Sequence, residues 1–145
     1  MVEEDIHKGE RLMESCIEKK IYFHDTDCGG VVYYANYLKH LEEARTEYLS
    51  GKGIGLKDLM AKGIYFVVSH VEIDYKAPAR YQDVIRIFTD IEKVGFSTLH
   101  FFQKVFREDN LLVEARTTLV CINRDFKPVR IPDGLDSILK RETRD

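Results

Sequence analysis

Residues 22–49 read YFHDTDCGGVVYYANYLKHLEEARTEYL, and this stretch decides the fold. Its second half has the period of a helix. Tyr37, Leu38, Leu41, Ala44, Tyr48 and Leu49 recur at three- and four-residue spacing, which predicts a helix from Tyr34 to Ser50 with one apolar stripe. Glu43 and Glu47 fall on the other side as an i, i+4 like-charge pair, best left to solvent. Gly51 and Gly53 then supply stop signals. The first half, HDTDCGG, is dense in Asp, Thr and Gly and reads as a loop leading into that helix.

Outward from this segment the chain changes period. Upstream, CIEKKIYF at 16–23 reads as a strand, and residues 1–14 as a charged extension. Downstream, GLKDLMAKG at 55–63 adds a short helical piece. IYFVVSHVEIDY at 64–75 is rich in β-branched and aromatic residues and reads as a long strand. KAPARYQD breaks it, since Pro78 has no N–H to give a ladder. DVIRIFTDIEKV, FSTLHFFQKVFRE and LLVEARTTLVCIN follow as three more strands. A turn over 125–128 and a short helix over 134–141 complete the chain.

The order is therefore strand, long helix, four strands. Long strands on short connections favour an antiparallel sheet. A single long helix must bury its apolar stripe, and wrapping the sheet around it does so. A ferredoxin-like arrangement needs a second long helix among the later strands, and the sequence offers none. The expected class is α+β: a curved antiparallel sheet around one central helix.

Composition bounds the rest. A chain of 145 residues fits one domain, taken as residues 15–145 behind the 1–14 extension. A hydrophobic share of 44% supports a packed core. A net charge of −3 and a sequence pI near 6.0 argue against a nucleic-acid binder. No apolar run approaches the ~18 residues of a membrane span. The charged N-terminus lacks the apolar core of a signal peptide, so the expected location is the cytoplasm. Cys16, Cys28 and Cys121 are too dispersed for a disulfide framework or a zinc site.

The loop carries the chemistry. Asp25 and Asp27 flank Thr26 and, if extended, point the same way. Two nearby carboxylates oppose each other's ionisation, which suits one of them to general-base work. Gly29 and Gly30 allow a tight turn and close approach of a ligand to the backbone. The helix then opens near Tyr34, where its first N–H groups lack intrahelical acceptors and favour negative charge. A carboxylate, a close backbone approach and an oxyanion site are the parts of an acyl-transfer centre. The same residue types also build an ordinary capped loop, and spacing alone does not choose between the two carboxylates.

The segment resembles the signature of the 4-hydroxybenzoyl-CoA thioesterase family, in its YbgC-like acyl-CoA thioesterase branch. The resemblance is carried by Asp25-Thr26-Asp27, Gly29-Gly30, Val31-Val32-Tyr33, Asn36-Tyr37 and Glu42-Glu43-Ala44-Arg45. Weaker similarity continues through APARYQD to the late strands, covering roughly residues 16–130. It implies a hot-dog fold and a homodimer or homotetramer in which two sheets join edge to edge, with active sites at the subunit interface. It implies an acyl-CoA substrate hydrolysed to free acid and CoA, with no cofactor and no metal. By this resemblance the catalytic carboxylate is Asp27, and the backbone N–H of Tyr34 polarises the thioester carbonyl. Gly30, Val31 and Tyr33 fall on the substrate-binding part of the pattern. Many YbgC-like members carry His at the position of Tyr34; here it is Tyr, as in the hydroxybenzoyl-type enzymes. The alternatives are a non-catalytic acyl-CoA-binding module, an acyl-carrier-protein thioester hydrolase, and a dehydratase or hydratase of a β-hydroxyacyl thioester.

Other candidates are weaker. His24 adjoins the loop but stands three positions before Asp27, while His70 and His100 fall in strands. Glu42 and Arg45 are spaced for a helical salt bridge. Lys76, Arg80, Arg124, Lys127 and Arg130 are candidates to grip CoA phosphates. Phe66-Val67-Val68 and Phe101-Phe102 read as core. The chain has no Gly-x-Ser-x-Gly, so a serine-hydrolase route has no support.

Overall fold

The computed structural model describes residues 15–141; the charged extension expected over 1–14 lies outside them. Strand β1 (Ser15–Lys20) leads into a tight 3-10 turn (Phe23–Asp25) and then helix α1 (Asn36–Gly51). Helix α2 (Leu56–Ala61) and strands β2 (Tyr65–Tyr75), β3 (Val84–Val94), β4 (Thr98–Arg107) and β5 (Asn110–Ile122) follow, and helix α3 (Asp133–Arg141) closes the described chain. The strands form one antiparallel sheet in the order β1-β3-β4-β5-β2. Each expected element is present, with its ends moved by a few residues.

Period-two alternation builds the face that receives α1. Ile85, Ile87, Thr89 and Ile91 of β3 are buried at every second position, as are Leu99, Phe101, Gln103 and Val105 of β4. From α1, Tyr37, Leu41 and Ala44 join one core cluster with Ile85, Ile87 and Val105. Tyr48 and Leu49 join a second with Ile91, Leu99 and Phe101, which also takes Leu135 and Leu139 of α3. Each fully buried Leu or Ile here contributes about 1.5–3 kcal/mol.

The helix is phased differently from the expected stripe. Leu38 is left 44% exposed, while His40 and Arg45 are buried. Arg45 does not rest on a surface pair with Glu42: its Nη1 donates to Gln103 Oε1 in the core at 3.1 Å. Gln103 in turn donates to the Leu41 carbonyl at 2.9 Å and to Thr89 Oγ1 at 3.1 Å. This polar network joins α1 to β3 and β4, and burial pushes the Arg45 guanidinium pKa down. A local period cannot reveal a partner 58 residues away. Val68, expected in the core, is 52% exposed because it lies on the edge strand β2. Phe101 and Phe102 are both buried, on opposite faces of the sheet.

Candidate active site

The site grows from the end of β1. Ile21 is fully buried and its backbone pairs with the 82–83 segment, so the chain turns over the sheet edge there. Asp25 closes the 3-10 turn. Its Oδ2 accepts the Tyr22 N–H at 2.9 Å, and its carbonyl accepts the Tyr33 N–H at 3.1 Å and Asn36 Nδ2 at 2.9 Å. Asp25 is only 6% exposed. The expectation that Asp25 and Asp27 share one side of an extended stretch is therefore corrected. The 3-10 turn rotates Asp25 inward, while Asp27, beyond it, is exposed.

Asp27 opens a small hairpin turn. Thr26 and Val32 pair across it, the Asp27 N–H donates to the Val31 carbonyl at 2.9 Å, and the Gly30 N–H donates to the Asp27 carbonyl at 3.1 Å. Asp27 Oδ1 accepts the Gly29 N–H at 2.8 Å, which holds the carboxylate over the turn. Gly30 has φ +77°, a left-handed backbone that a side chain disfavours. The far side of the hairpin is laid on residues 79–81: Val32 N–H donates to Ala79, Tyr81 N–H donates to Gly30, and Val31 pairs with Arg80.

Tyr34 lies in a turn just ahead of α1 rather than inside it. The Asn36 N–H donates to the Tyr33 carbonyl at 2.8 Å, and the first helical residue is Asn36. The Tyr34 carbonyl accepts the Tyr75 hydroxyl at 3.0 Å. The Tyr34 N–H has no acceptor among the described residues. Tyr33 is exposed, with its ring 4.8 Å from that of Tyr34. The Tyr34 hydroxyl beside it pushes the Tyr33 phenol pKa up.

A cleft of about 270 Å³ lies against this turn, lined by Val32, Tyr34, Tyr37, Tyr75, Lys76 and Pro78 among others. Burial raises the phenol pKa values of Tyr37 and Tyr75, so both rings are neutral hydrogen-bonding groups at neutral pH. The Tyr37 hydroxyl accepts the Ala79 N–H at 3.0 Å, which fixes the 76–80 segment on α1. Sequence reasoning missed Tyr37 and Tyr75 as cleft residues. Tyr37 reads as one more apolar stripe position, and Tyr75 lies 41 residues from Tyr34 with no local signal.

The remaining candidates separate. His24 is exposed and stacks on Tyr22. His70 is exposed near Glu72, and His100 sits between the hydroxyls of Thr98 and Thr118 at 3.2 Å each. Arg124 donates to the Ala61 carbonyl, and Arg130 pairs with Asp133 at 2.8 Å. Lys76 lines the Tyr34 cleft, and Arg80 flanks Val31. Cys28 is exposed at the turn, Cys16 is exposed and Cys121 is buried; none of the three is in a disulfide among the described residues. Among the described residues no group of three His, Cys, Asp or Glu is placed to hold a metal ion.

A five-stranded antiparallel sheet around one long helix, with an Asp-Gly turn at the helix start, defines a hot-dog thioesterase-type domain. The chain belongs to the thioesterase-like superfamily, whose family model matches residues 21–139. It is 37% identical over 124 residues to the acyl-CoA thioester hydrolase YbgC of Escherichia coli O6:H1, covering 84% of this chain and 92% of that protein. Among solved structures it is similar to hypothetical protein TT1821 from Thermus thermophilus. That likeness has a TM-score of 0.85 and 30% identity, covering 88% of this chain and 98% of the other. It is also similar to Slr0204, a 1,4-dihydroxy-2-naphthoyl-CoA thioesterase from Synechocystis. There the TM-score is 0.81 and the identity 25%, over 87% of this chain and 95% of that one.

Proposed function

We propose that this chain is a thioester hydrolase that cleaves acyl-CoA to free acid and CoA, with Asp27 as its catalytic carboxylate. One observation carries the residue assignment. Of the two loop aspartates, Asp25 is buried and engaged in structure, while Asp27 is exposed on a turn that leads to the Tyr34 N–H, which has no acceptor among the described residues. The names of the Escherichia coli and Synechocystis relatives support the reaction class.

In this mechanism the thioester carbonyl oxygen lies on the Tyr34 N–H at the positive end of α1. Asp27 attacks the carbonyl carbon or takes a proton from a water that does. The tetrahedral intermediate collapses and expels the CoA thiolate, which takes up a proton; the general-base route gives the free acid directly, while the covalent route leaves a mixed anhydride on Asp27 that a water then hydrolyses. Gly30 and Val31 let the substrate pass close to backbone, and Tyr33 with Tyr34 forms the aromatic wall. Lys76 lines the Tyr34 cleft and Arg80 pairs with Val31, and both suit the CoA phosphates.

The working unit is a homodimer or homotetramer with its sites between subunits. Strand β2 ends the sheet, and Tyr75 and Lys76 at its end line the Tyr34 cleft. A second copy paired along that edge would wall the cleft. Among the described residues no helix is long and apolar enough to cross a membrane.

The test is a thiol-release panel of short aliphatic, long aliphatic and aromatic acyl-CoAs, together with an acyl-carrier-protein thioester. It is run on the wild type and on Asp27→Asn. The expected result is turnover by the wild type and a loss of at least ~10²-fold in the variant at unchanged fold. Full activity of Asp27→Asn overturns the assignment; binding with no release on any substrate overturns the enzyme.

A further inference from the structure

The Tyr34 N–H serves a developing oxyanion only if the backbone at residue 34 is held in one orientation. The two peptide planes that flank this residue are held by different means. On one side the Tyr33 carbonyl accepts the Asn36 N–H at 2.8 Å, a bond made within the turn. On the other side the Tyr34 carbonyl meets the Tyr37 N–H only at 3.4 Å. That is longer than the roughly 2.7–3.2 Å of an ordinary N–H···O bond. The same carbonyl accepts the Tyr75 hydroxyl at 3.0 Å. The shorter anchor on this carbonyl therefore comes from outside the turn, at the end of β2.

Tyr75 is itself well placed to act as an anchor. Its backbone belongs to the β2–β5 ladder, opposite the fully buried Val113. A group carried on a strand is held more firmly than one carried on a loop. Its ring meets the Tyr34 ring edge to face at 6.1 Å and the Tyr37 ring at 5.6 Å, so two contacts set where the hydroxyl points. Partial burial keeps its phenol protonated at neutral pH, so the hydroxyl retains the proton that it donates.

We infer that Tyr75 is a positioning residue for the proposed hydrolysis: its hydroxyl holds the Tyr34 carbonyl and so aims the Tyr34 N–H at the thioester oxygen. The inference rests on the reading of that N–H as the oxyanion donor. Charge builds on the substrate oxygen only toward the transition state, so a misaligned donor costs kcat far more than it costs KM.

The experiment measures kcat and KM by thiol release on the acyl-CoA panel for the wild type, Tyr75→Phe, Tyr75→Leu and Asp27→Asn. Infrared spectra are taken with isotope-labelled CoA thioether ketones, which keep the carbonyl but have no thioester bond to cleave. Their chains match the short aliphatic, long aliphatic and aromatic members of the panel. Size-exclusion chromatography gives the oligomeric state of each protein. Tyr75→Phe keeps the ring contacts and loses only the hydroxyl. Its kcat falls about tenfold while KM stays within about twofold. The bound carbonyl stretch moves to higher frequency than in the wild type, because a misaligned N–H polarises it less. Tyr75→Leu loses the ring contacts as well and falls further, with KM raised. The oligomeric state is the same in all four proteins.

A Tyr75→Phe kcat within about twofold of wild type overturns the inference. So does an unmoved carbonyl stretch, or activity lost only in Tyr75→Leu, which assigns the role to the ring and not to the hydroxyl. A changed oligomeric state in Tyr75→Phe also overturns it, because the loss then follows from assembly along β2. An inactive Asp27→Asn beside an unaltered Tyr75→Phe overturns only the role of Tyr75. Full activity of Asp27→Asn overturns the catalytic carboxylate instead, while the Tyr75→Phe rate and spectrum still decide on Tyr75. A wild type that binds the ketones and releases no thiol overturns the enzyme and this inference with it.

Discussion

Two adjacent glycines in the Asp27 turn separate stability from catalysis. Gly30 has φ +77°, and a Cβ built there meets nothing within 4 Å. Gly30→Ala therefore costs only backbone strain, about 1–2 kcal/mol for a left-handed alanine. Against this, alanine restricts the unfolded chain and returns about 0.4–1 kcal/mol. The net loss is about 0.5–1 kcal/mol, a fall of about 1–4 °C in Tm for a chain of this size.

Gly29 is the opposite case. Its φ lies outside the left-handed region, but a Cβ there stands 3.2 Å from Asp27 Oδ1, the atom that its own N–H holds at 2.8 Å. The carboxylate must give by a few tenths of an ångström. The lost contact, about 0.5–1.5 kcal/mol for an ordinary hydrogen bond, roughly cancels the unfolded-state gain. Stability then stays within about 0.5 kcal/mol of wild type, as for a surface change. The rate does not, because a displaced catalytic group loses about tenfold well before a 1 Å error. The assays are thermal unfolding by circular dichroism and thiol release for kcat/KM. Gly29→Ala turning over at the wild-type rate, with Asp27 still required, would refute the placement of the reacting oxygen. A Gly30→Ala protein with a raised Tm would refute the strain.

Two further outcomes follow from the interior. Gln103→Leu strips Arg45, the Leu41 carbonyl and Thr89 of one buried partner each. It should cost about 3–5 kcal/mol in chemical denaturation, and a loss under about 1 kcal/mol would show that water replaces the amide. Burial, with Lys93 nearby, holds the His100 pKa below its ordinary value of 6.5. The unfolded chain then takes up this proton first as pH falls, so stability is lost below about pH 6.5. Tm measured from pH 7 to 5 should fall less steeply in His100→Asn than in the wild type; identical slopes would exclude the ring.

Much of the fold was legible because its signals are local. Strand and helix periods along 16–141 reveal each element, since alternation and three- to four-residue spacing record which face is buried. Short connections with Pro78 and the 108–109 turn point to an antiparallel sheet. The Asp-Thr-Asp-x-Gly-Gly loop before a helix also marked the region of the site.

What the sequence by itself determined is therefore the element order, the sheet around one helix, and the turn that carries Asp27. Which aspartate faces solvent was decided only when the 3-10 turn rotated Asp25 onto His40, a partner 15 residues on along the chain. The Tyr34 cleft needed Tyr75 brought from the end of β2, and the buried Arg45 needed Gln103 from β4. The burial of His40 against Asp25 had no local signal, because period reports hydrophobicity and not polar partners. Such pairings depend on long-range approach and on charge compensation in a desolvated space, which no local spacing encodes.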